Sequence, residues 1–303
     1  MGSVLEDLPR ASQVAILRLR SLGDCVLTTP ALHLLKSARP DLRIAIAVED
    51  RFREIFEANP DVDAILPPQL GAVRAWKPRL CLNLHGGTRS AWLTALSGAR
   101  RRAGYGHFRH QFVYNGRIPR AQQILHVDRK VHTAEHAASA MFWLGVPLTE
   151  IPRARLFAAA TPAPPQPRCV IHPVAATPEK TWKAEGFLAV AHHLQQAGMQ
   201  PVFIGAAADD LSAFTSHRTV RGASLSEIKQ LLAGASLFVG NDSGPAHMAA
   251  AFGLPVVAIF GQSDPDIWGP WKTASEVVTA PAGIAAVETA QVLSALARLG
   301  VAA

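Results

Sequence analysis

The sequence predicts an α/β protein made of two halves, each a parallel sheet with helices wound on both faces. Short apolar stretches typical of strands alternate with helical stretches from residue 14 to residue 144. A proline-rich stretch at residues 158–168 interrupts this pattern, and the alternation restarts at residue 169. Strands that alternate with helices form βαβ units and therefore a parallel sheet. We expect one domain over residues 1–160 and a second over residues 161–303.

The individual elements follow from apolar runs bounded by glycine, proline and polar residues. In the first half the predicted strands are Val14–Leu19, Arg43–Val48 and Leu80–Leu84. A loop at Arg20–Asp24 follows the first strand, and a helix then runs to about Ala38. The other predicted helices are Phe52–Glu57, Ser90–Leu96 and Thr133–Leu144. In the second half the predicted strands are Cys169–His172, Pro201–Ile204 and Leu237–Val239, and the predicted helices are Phe187–Ala197, Leu225–Ala233 and Val287–Leu299. The four prolines of residues 158–168 indicate a semi-rigid linker.

Composition restricts the class of protein. The chain has 303 residues, of which 49% are hydrophobic and 17% charged, so it is expected to be globular and not disordered. It contains no apolar run of the roughly 20 residues that a spanning helix needs, and no signal-peptide core near the first residue. Its three cysteines are far apart, so neither a disulfide framework nor a thiolate metal site is expected. We therefore expect a cytoplasmic protein.

The net charge of +7 is concentrated in one segment. A basic segment suits nucleic acid, an anionic membrane surface or an acidic substrate, but no nucleic-acid-binding module accompanies this one. A solvated face without a ligand is the alternative that stays open. The basic residues of the segment are Arg100, Arg101, Arg102, Arg109, Arg117, Arg120, Arg129 and Lys130.

Residues 237–261 are the most informative stretch, and they predict a strand, a tight polar loop, a short helix and a second buried strand. Pro245 suits the first turn of a helix because it lacks an N–H, and Gly244 lets a ligand approach the backbone closely. The first N–H groups of a helix and its dipole bind anions. With Ser243 before the helix and His247 within it, the stretch indicates a phosphate or diphosphate pocket.

Other interpretations of these patterns compete. Asp242 and Ser243 also suit a simple helix N-cap. A hydrolase nucleophile elbow needs Gly-x-Ser-x-Gly, and no glycine stands two positions before Ser243. The dinucleotide fingerprint G-x-G-x-x-G is missing after the first strand, which disfavours an oxidoreductase. His132, Glu135 and His136 form the H-x-x-E-H pattern of some zinc proteases, a pattern that also arises by chance in a chain with 12 histidines.

Two segments together resemble glycosyltransferase family 9, the lipopolysaccharide heptosyltransferases. The first is ILRLRSLGDCVLTTP at residues 16–30, and the second is DSGPAH at residues 242–247, continued by Phe260-Gly261, Asp264-Pro265 and Trp268-Gly269-Pro270. Weaker matches lie between them, and the similarity runs over roughly residues 14–271. The resemblance implies the GT-B architecture, two Rossmann-like domains that face a central cleft. It also implies transfer of a heptose from a nucleotide sugar, usually ADP-heptose, with inversion, with no cofactor and with no metal.

On this resemblance we assign roles to individual residues. Asp24 is the expected catalytic base, which takes the proton of the acceptor hydroxyl; without the resemblance an N-cap is an equal alternative. The C-terminal domain is expected to bind the donor, and the family more often has Glu where this chain has Asp209. Asp242 is expected either to cap the helix or to bind a sugar hydroxyl. The donor-binding candidates are Thr177, Lys180, Asp209, Asp242, Ser243, Gly244 and His247.

The N-terminal domain is expected to bind an anionic glycolipid or oligosaccharide acceptor through its basic segment, because guanidinium groups bind carboxylates and phosphates well. The candidates are Ser21, Gly23, His85 and Arg120, and the same arginines suit contact with the inner face of the cytoplasmic membrane. Two other functions stay open at this point. One is a sugar-nucleotide epimerase of the same architecture, and the other is a nucleotide-sugar-binding protein without turnover.

Overall fold

Runs of Val, Ile, Leu and Ala form the centres of two sheets, because strands buried on both faces must be almost wholly apolar. The computed structural model describes residues 4–160 and 164–301. The chain divides into two units, Met1–Phe157 and Ala158–Ala303. Within the predicted linker, Thr161, Pro162 and Ala163 lie outside the described residues.

The first unit is a parallel sheet flanked by helices. Its strands are β1 (Gln13–Leu17), β2 (Arg43–Ala47), β3 (Ala64–Leu66), β4 (Leu80–Asn83), β5 (Arg101–Tyr105) and β6 (Gly116–Ile118). Its helices are α1 (Leu22–Ala38), α2 (Leu70–Ala75), α3 (Thr88–Leu96), α4 (Ala121–Leu125) and α5 (Thr133–Leu144), and Asp50–Ile55 and Gln111–Val113 are 3₁₀ turns. The strand order is β3-β2-β1-β4-β5-β6, and every pairing in it is parallel.

The second unit repeats the plan. Its strands are β7 (Arg168–His172), β8 (Gln200–Gly205), β9 (Arg218–Arg221), β10 (Leu237–Asn241), β11 (Val256–Ile259) and β12 (Ser275–Val278). Its helices are α6 (Ala184–Gln196), α7 (Leu225–Ala233), α8 (Gly244–Phe252), α9 (Pro265–Trp268) and α10 (Thr289–Arg298), with 3₁₀ turns at Pro178–Lys180, Ser212–Phe214 and Ile284–Ala286. The order β12-β11-β10-β7-β8-β9 is again parallel throughout.

Both sheets have the strand order of a Rossmann fold. Ligands of such sheets bind outside the carboxyl ends of the strands, at the point where the strand order reverses. That point lies between β1 and β4 in the first unit and between β7 and β10 in the second. The predicted fold class, two Rossmann-like α/β domains, is therefore confirmed. No helix among the described residues is long and apolar enough to cross a membrane.

Several element bounds differ from those predicted. Strand β1 ends at Leu17 and α1 begins at Leu22, so Asp24 lies inside the first turn of α1 and not in a loop. The helix predicted at Phe52–Glu57 is the 3₁₀ turn Asp50–Ile55. Strand β5 was not predicted, because its arginines made the segment resemble a solvated face. By contrast, α5 and α7 have the predicted bounds.

A chain of buried contacts runs from β5 to the turn after β4, at the carboxyl edge of the first sheet. Gly104 in β5 lies against the Tyr114 ring, and a Cβ at residue 104 would come within 2.5 Å of that ring. The Tyr114 hydroxyl accepts a hydrogen bond of 2.8 Å from Nδ2 of Asn83. Asn83 Oδ1 in turn accepts from the backbone N–H groups of His85 and Gly86. The glycine therefore leaves space for the ring that supports the turn after β4.

We predict that Gly104→Ala destabilises the first unit. The added methyl group must displace the Tyr114 ring and break its bond to Asn83, and overpacking of this kind costs about 1–3 kcal/mol. For a unit of this size, the melting temperature falls by roughly 2–4 °C per kcal/mol. Gly71→Ala is the matched control, because Gly71 is in α2 and a Cβ there meets nothing within 4 Å. Thermal unfolding of both variants tests this, and equal melting temperatures would contradict it.

Candidate functional site

Asp24 lies at the carboxyl edge of the first sheet, in the loop and helix that follow β1. It is the third residue of α1, and its Oδ2 accepts hydrogen bonds from Oγ of Ser21 at 3.0 Å and from the backbone N–H of Ser21 at 3.4 Å. Ser21, and not Asp24, is at the N-cap position of α1. Asp24 therefore contributes to capping from the third helical position, as the carboxylate of a capping box, and not from the N-cap position itself. Gly23 is buried in the same helical turn.

Arg18 holds the second oxygen of Asp24. Its Nη1 donates to Oδ1 of Asp24 at 3.1 Å, and the two side chains are 7% and 22% exposed. The guanidinium is fixed from the other side, because its Nε donates to Oγ1 of Thr28 at 3.1 Å and Thr28 donates in turn to the backbone carbonyl of Asp24. Asp24 is thus a half-buried carboxylate in a fixed orientation. Arg18 was not among the predicted site residues.

His85 lies next to this pair, after β4. It is half-buried, and burial together with the positive charge of Arg18 lowers the pKa of its ring. A hydrogen bond to the backbone of Arg20 connects it to the loop after β1. The strands β1 and β4 are neighbours in the sheet. The structure therefore brings Ser21, Gly23, Asp24 and His85 together where the strand order reverses.

Two further histidines lie near this edge; the sequence analysis considered His136 only as part of the H-x-x-E-H pattern and did not consider His107. His136, in α5, stacks on the Tyr105 ring with centroids 4.0 Å apart. Burial, and then the charge of Arg18, lowers the pKa of His136 to about 4, so the ring is neutral at physiological pH. His107 follows β5, and its pKa is lowered by burial and by Arg120. The His107 ring contacts the rings of Tyr105 and His136 in the folded unit, and a lone histidine in the sequence carries no signal of such contacts.

The basic segment is not one surface. Arg101 begins β5 at the amino edge of the sheet and pairs with Asp7 at 2.7 Å. Arg120 is exposed at the start of α4 and acts on His107 near the opposite, carboxyl edge. The prediction that the basic segment binds the acceptor stays a prediction, and it applies to the residues near the carboxyl edge, such as Arg120. The segment is divided because β5 and β6 run through it.

In the second unit, Ser243 and Gly244 lie where α8 begins, directly after β10. Ser243 is at the N-cap position, Gly244 is the first helical residue, and Pro245 follows as predicted. The hydroxyl of Ser243 hydrogen-bonds to Nδ1 of His172 at 3.0 Å instead of capping the helix. The interpretation of this loop as a simple N-cap is therefore wrong for Ser243. His247 lies in the next turn of α8 and is buried.

His172 is a further residue that the sequence analysis missed. It is the last residue of β7, and burial lowers its pKa to about 4. A buried histidine at a strand end looks in sequence like part of the core. Its contact with Ser243 joins the ends of β7 and β10 at the point where the second sheet reverses its strand order.

Lys180 pairs with Asp242 at the same edge. The distance from Nζ to Oδ2 is 3.3 Å, and the lysine side chain is 37% exposed whereas the aspartate is 11% exposed. Asp242 therefore positions a lysine and does not cap α8. Thr177 begins the 3₁₀ turn that carries Lys180, and its carbonyl accepts from the N–H of Lys180.

Asp209 lies in the turn after β8. Its Oδ2 accepts from the backbone N–H of Ala206 at 2.6 Å, so this oxygen holds the turn. The charge of Asp209 also acts on His172, which places it near the same edge. The structure thus brings Thr177, Lys180, Asp209, Asp242 and Ser243 to the carboxyl ends of β7, β8 and β10.

The H-x-x-E-H pattern does not form a metal site. His132 is at the N-cap position of α5, where its Nδ1 accepts from a helix N–H. Glu135 pairs with Arg129 at 2.6 Å, and this bond lowers the carboxyl pKa. His136 stacks on Tyr105. Across residues 4–160 and 164–301, no group of three or more His, Cys, Asp or Glu side chains is arranged to hold a metal ion.

Known proteins resemble this chain in sequence and in fold. The profile of glycosyltransferase family 9 (heptosyltransferase) matches residues 72–292, more than two thirds of the chain. Lipopolysaccharide heptosyltransferase 3 of Escherichia coli (strain K12) is 27% identical over an alignment of 294 positions, and the match covers 84% of this chain and 83% of that protein.

Two solved structures show the same architecture. The glycosyltransferase family 9 protein from Veillonella parvula DSM 2008 has a TM-score of 0.83 at 22% identity, and the match covers 96% of this chain and 97% of the other. The Escherichia coli heptosyltransferase WaaC with ADP has a TM-score of 0.79 at 18% identity, over 94% of this chain and 99% of the other. From the match to the family profile, we conclude that the chain belongs to glycosyltransferase family 9, the heptosyltransferases, and is a glycosyltransferase.

Proposed function

We propose that this protein transfers a heptose from ADP-heptose to an inner-core sugar of lipopolysaccharide, with inversion at the anomeric carbon and without a metal ion. The observation that carries the proposal is the fixed carboxylate of Asp24 at the edge where Rossmann-like sheets bind ligands. Relatives named lipopolysaccharide heptosyltransferases, and a neighbour determined with ADP, support the choice of acceptor and donor. Family membership favours transfer over epimerisation and over binding without turnover.

Asp24 acts in this proposal as the general base. Its carboxylate accepts the proton of the acceptor hydroxyl while the hydroxyl oxygen forms a bond to the anomeric carbon. The bond from that carbon to the diphosphate oxygen breaks on the opposite face, so the configuration inverts. Both Asp24 oxygens already accept hydrogen bonds from Arg18 or Ser21. The remaining lone pairs are therefore held in a fixed direction, which reduces the entropy lost in reaching the transition state.

The leaving diphosphate gains negative charge and needs donors that are already in place. The ammonium group of Lys180 and the first N–H groups of α8, at Ser243 and Gly244, supply them, with His247 in the next turn. Thr177 offers a hydroxyl to the same phosphates, Asp209 accepts from the ribose, and Asp242 keeps Lys180 in position. These cationic and amide donors take the role that a divalent ion has in metal-dependent transferases.

The two domains divide the substrates in this proposal. Residues 1–160 bind the acceptor through Ser21, Gly23, His85 and Arg120, and residues 161–303 bind the donor. An anionic acceptor suits the first unit, because Arg18, Arg20 and Arg120 lie near His85 or His107 at its carboxyl edge. The site of action is the cytoplasm, with peripheral contact at the inner membrane face.

We predict that Asp24→Asn lowers kcat by about two to four orders of magnitude, the usual contribution of a general base. Donor binding is expected to stay within about twofold, since Asp24 is in the unit assigned to the acceptor. Asp7→Asn is the matched control, because Asp7 pairs with Arg101 at the amino edge of the same sheet. Steady-state kinetics and calorimetry with ADP measure both effects. Near-normal turnover of Asp24→Asn would refute the assignment of the base.

Arg18 is proposed as a positioning residue for Asp24. We predict that Arg18→Gln lowers kcat by roughly 10- to 100-fold with little change in the donor KM, because loss of a charge-assisted bond of about 1.5–3 kcal/mol frees the carboxylate to rotate. Arg18→Lys keeps the charge without the second contact to Thr28 and should recover part of the loss. Kinetics of both variants, after a check of their melting temperatures, test this. An unchanged kcat in a folded Arg18→Gln protein would show that the pair is only structural.

Lys180→Ala is predicted to weaken ADP binding by roughly 10- to 100-fold, the effect of one lost hydrogen bond to a charged group. Lys183→Ala is the control, because Lys183 is a neighbouring, similarly exposed lysine that pairs instead with Glu288. Calorimetry with ADP, UDP and GDP in the presence of EDTA makes the measurement. Loss of wild-type binding in EDTA would overturn the metal-free proposal, and a preference for UDP would overturn the choice of donor.

A further inference from the structure

The first unit exposes an unusual group of large apolar side chains. Among the described residues, four such side chains are exposed by half or more of their surface. Trp92 (52%), Leu96 (50%) and Phe112 (65%) belong to α3 and the 3₁₀ turn Gln111–Val113, and Leu148 (60%) belongs to the segment after α5. Isolated exposed hydrophobics are ordinary, whereas a contiguous group indicates a binding surface.

The three side chains on α3 and its neighbouring turn form one patch. Thr88, Trp92 and Leu96 are four residues apart in turn, so they lie along one face of α3. Oγ1 of Thr88 lies 2.9 Å from Nε2 of His110. The His110 ring contacts the Phe112 ring with centroids 6.0 Å apart, and the turn packs against α3. We call Trp92, Leu96 and Phe112 the α3 patch.

The chain segment that carries the α3 patch is strongly basic. Residues 64–127 contain no Asp or Glu and ten Lys or Arg, of which Arg89, Arg100 and Arg109 are exposed neighbours of the patch in sequence. A surface that is apolar at its centre and basic around it complements an anionic lipid bilayer. Trp and Phe insert at the boundary between headgroups and acyl chains, and arginines attract the anionic headgroups.

The helix that carries the α3 patch begins at the carboxyl edge of the first sheet, where the acceptor is proposed to bind. Helix α3 begins directly after His85, Gly86 and Gly87, beside the loop that carries Asp24. A helix seated on a bilayer would therefore keep this edge close to the lipid headgroups. A glycolipid acceptor has its sugars at that height, so docking would present them to Asp24.

We propose that the α3 patch docks the protein on an anionic lipid bilayer. The link to acceptor delivery rests on the proposed function, but lipid binding itself needs no turnover. Apolar insertion supplies adhesion and the basic rim supplies the preference for anionic lipid, so binding should weaken as salt screens the arginines.

The test compares co-sedimentation with vesicles of phosphatidylcholine alone and vesicles that also contain phosphatidylglycerol. Wild type should bind the phosphatidylglycerol vesicles and release them at high salt. A triple variant, Trp92→Ser, Leu96→Gln and Phe112→Ser, should lose about tenfold or more in partitioning. Leu148→Ser is the matched control, because it removes the fourth exposed hydrophobic side chain, and it should bind like wild type.

Three results would overturn the proposal: absence of binding to phosphatidylglycerol vesicles, equal partitioning of wild type and the triple variant, or a concentration-dependent dimer that the triple variant abolishes. The dimer would assign the patch to a second copy of the chain. Turnover with a delipidated oligosaccharide acceptor separates the two proposals. If turnover persists without vesicle binding, only docking fails; if vesicle binding persists without turnover, the proposed function fails.

Discussion

The parallel pairing of all strands is the constraint on which the site depends. In a parallel sheet every carboxyl end lies at the same edge, so loops that are distant in sequence meet there, and a crevice for ligands opens where the strand order reverses. In the first unit this brings the loop after β1, with Arg18 and Asp24, beside the turn after β4, with His85. In the second unit it brings His172 beside Ser243. The parallel strand order therefore places polar side chains at the carboxyl edge of each of the two sheets.

Burial determines which side chains at the carboxyl edge of the first sheet carry a charge. A buried arginine is costly unless its donors are satisfied, and Arg18 meets that requirement through Asp24 and Thr28. Its charge also helps to keep the pKa of His85 and His136 low, after the larger effect of burial. His136, with its pKa lowered to about 4, is therefore neutral at physiological pH, and the fixed positive charge resides on arginine. That charge does not change with pH, since guanidinium groups stay protonated.

The sequence was sufficient for the fold class and for most buried elements, because apolar runs such as those of β1 and β7 permit few other structures. It failed where a structural role and a polar composition conflict, as in β5, where Arg101 and Arg102 precede the buried Ala103, Gly104 and Tyr105. It predicted Asp24 and Ser243 as site residues because they belong to recognisable motifs. It did not predict the contacts of Arg18 with Asp24 or of His172 with Ser243, because those partners are recognised only in the folded chain.

The start of α8 lacks the usual side-chain cap of a helix. A serine at the N-cap normally gives its oxygen to the first N–H groups of the helix and satisfies them. Ser243 instead bonds to His172, and Asp242 bonds to Lys180. Neither side chain then occupies the N-terminal amides, and Pro245, the second helical residue, has no N–H to offer. The amides at Ser243 and Gly244 face a position where a helix favours negative charge. A capped helix would have closed this position, so the hydrogen bond between His172 and Ser243 supports the donor-phosphate site proposed above.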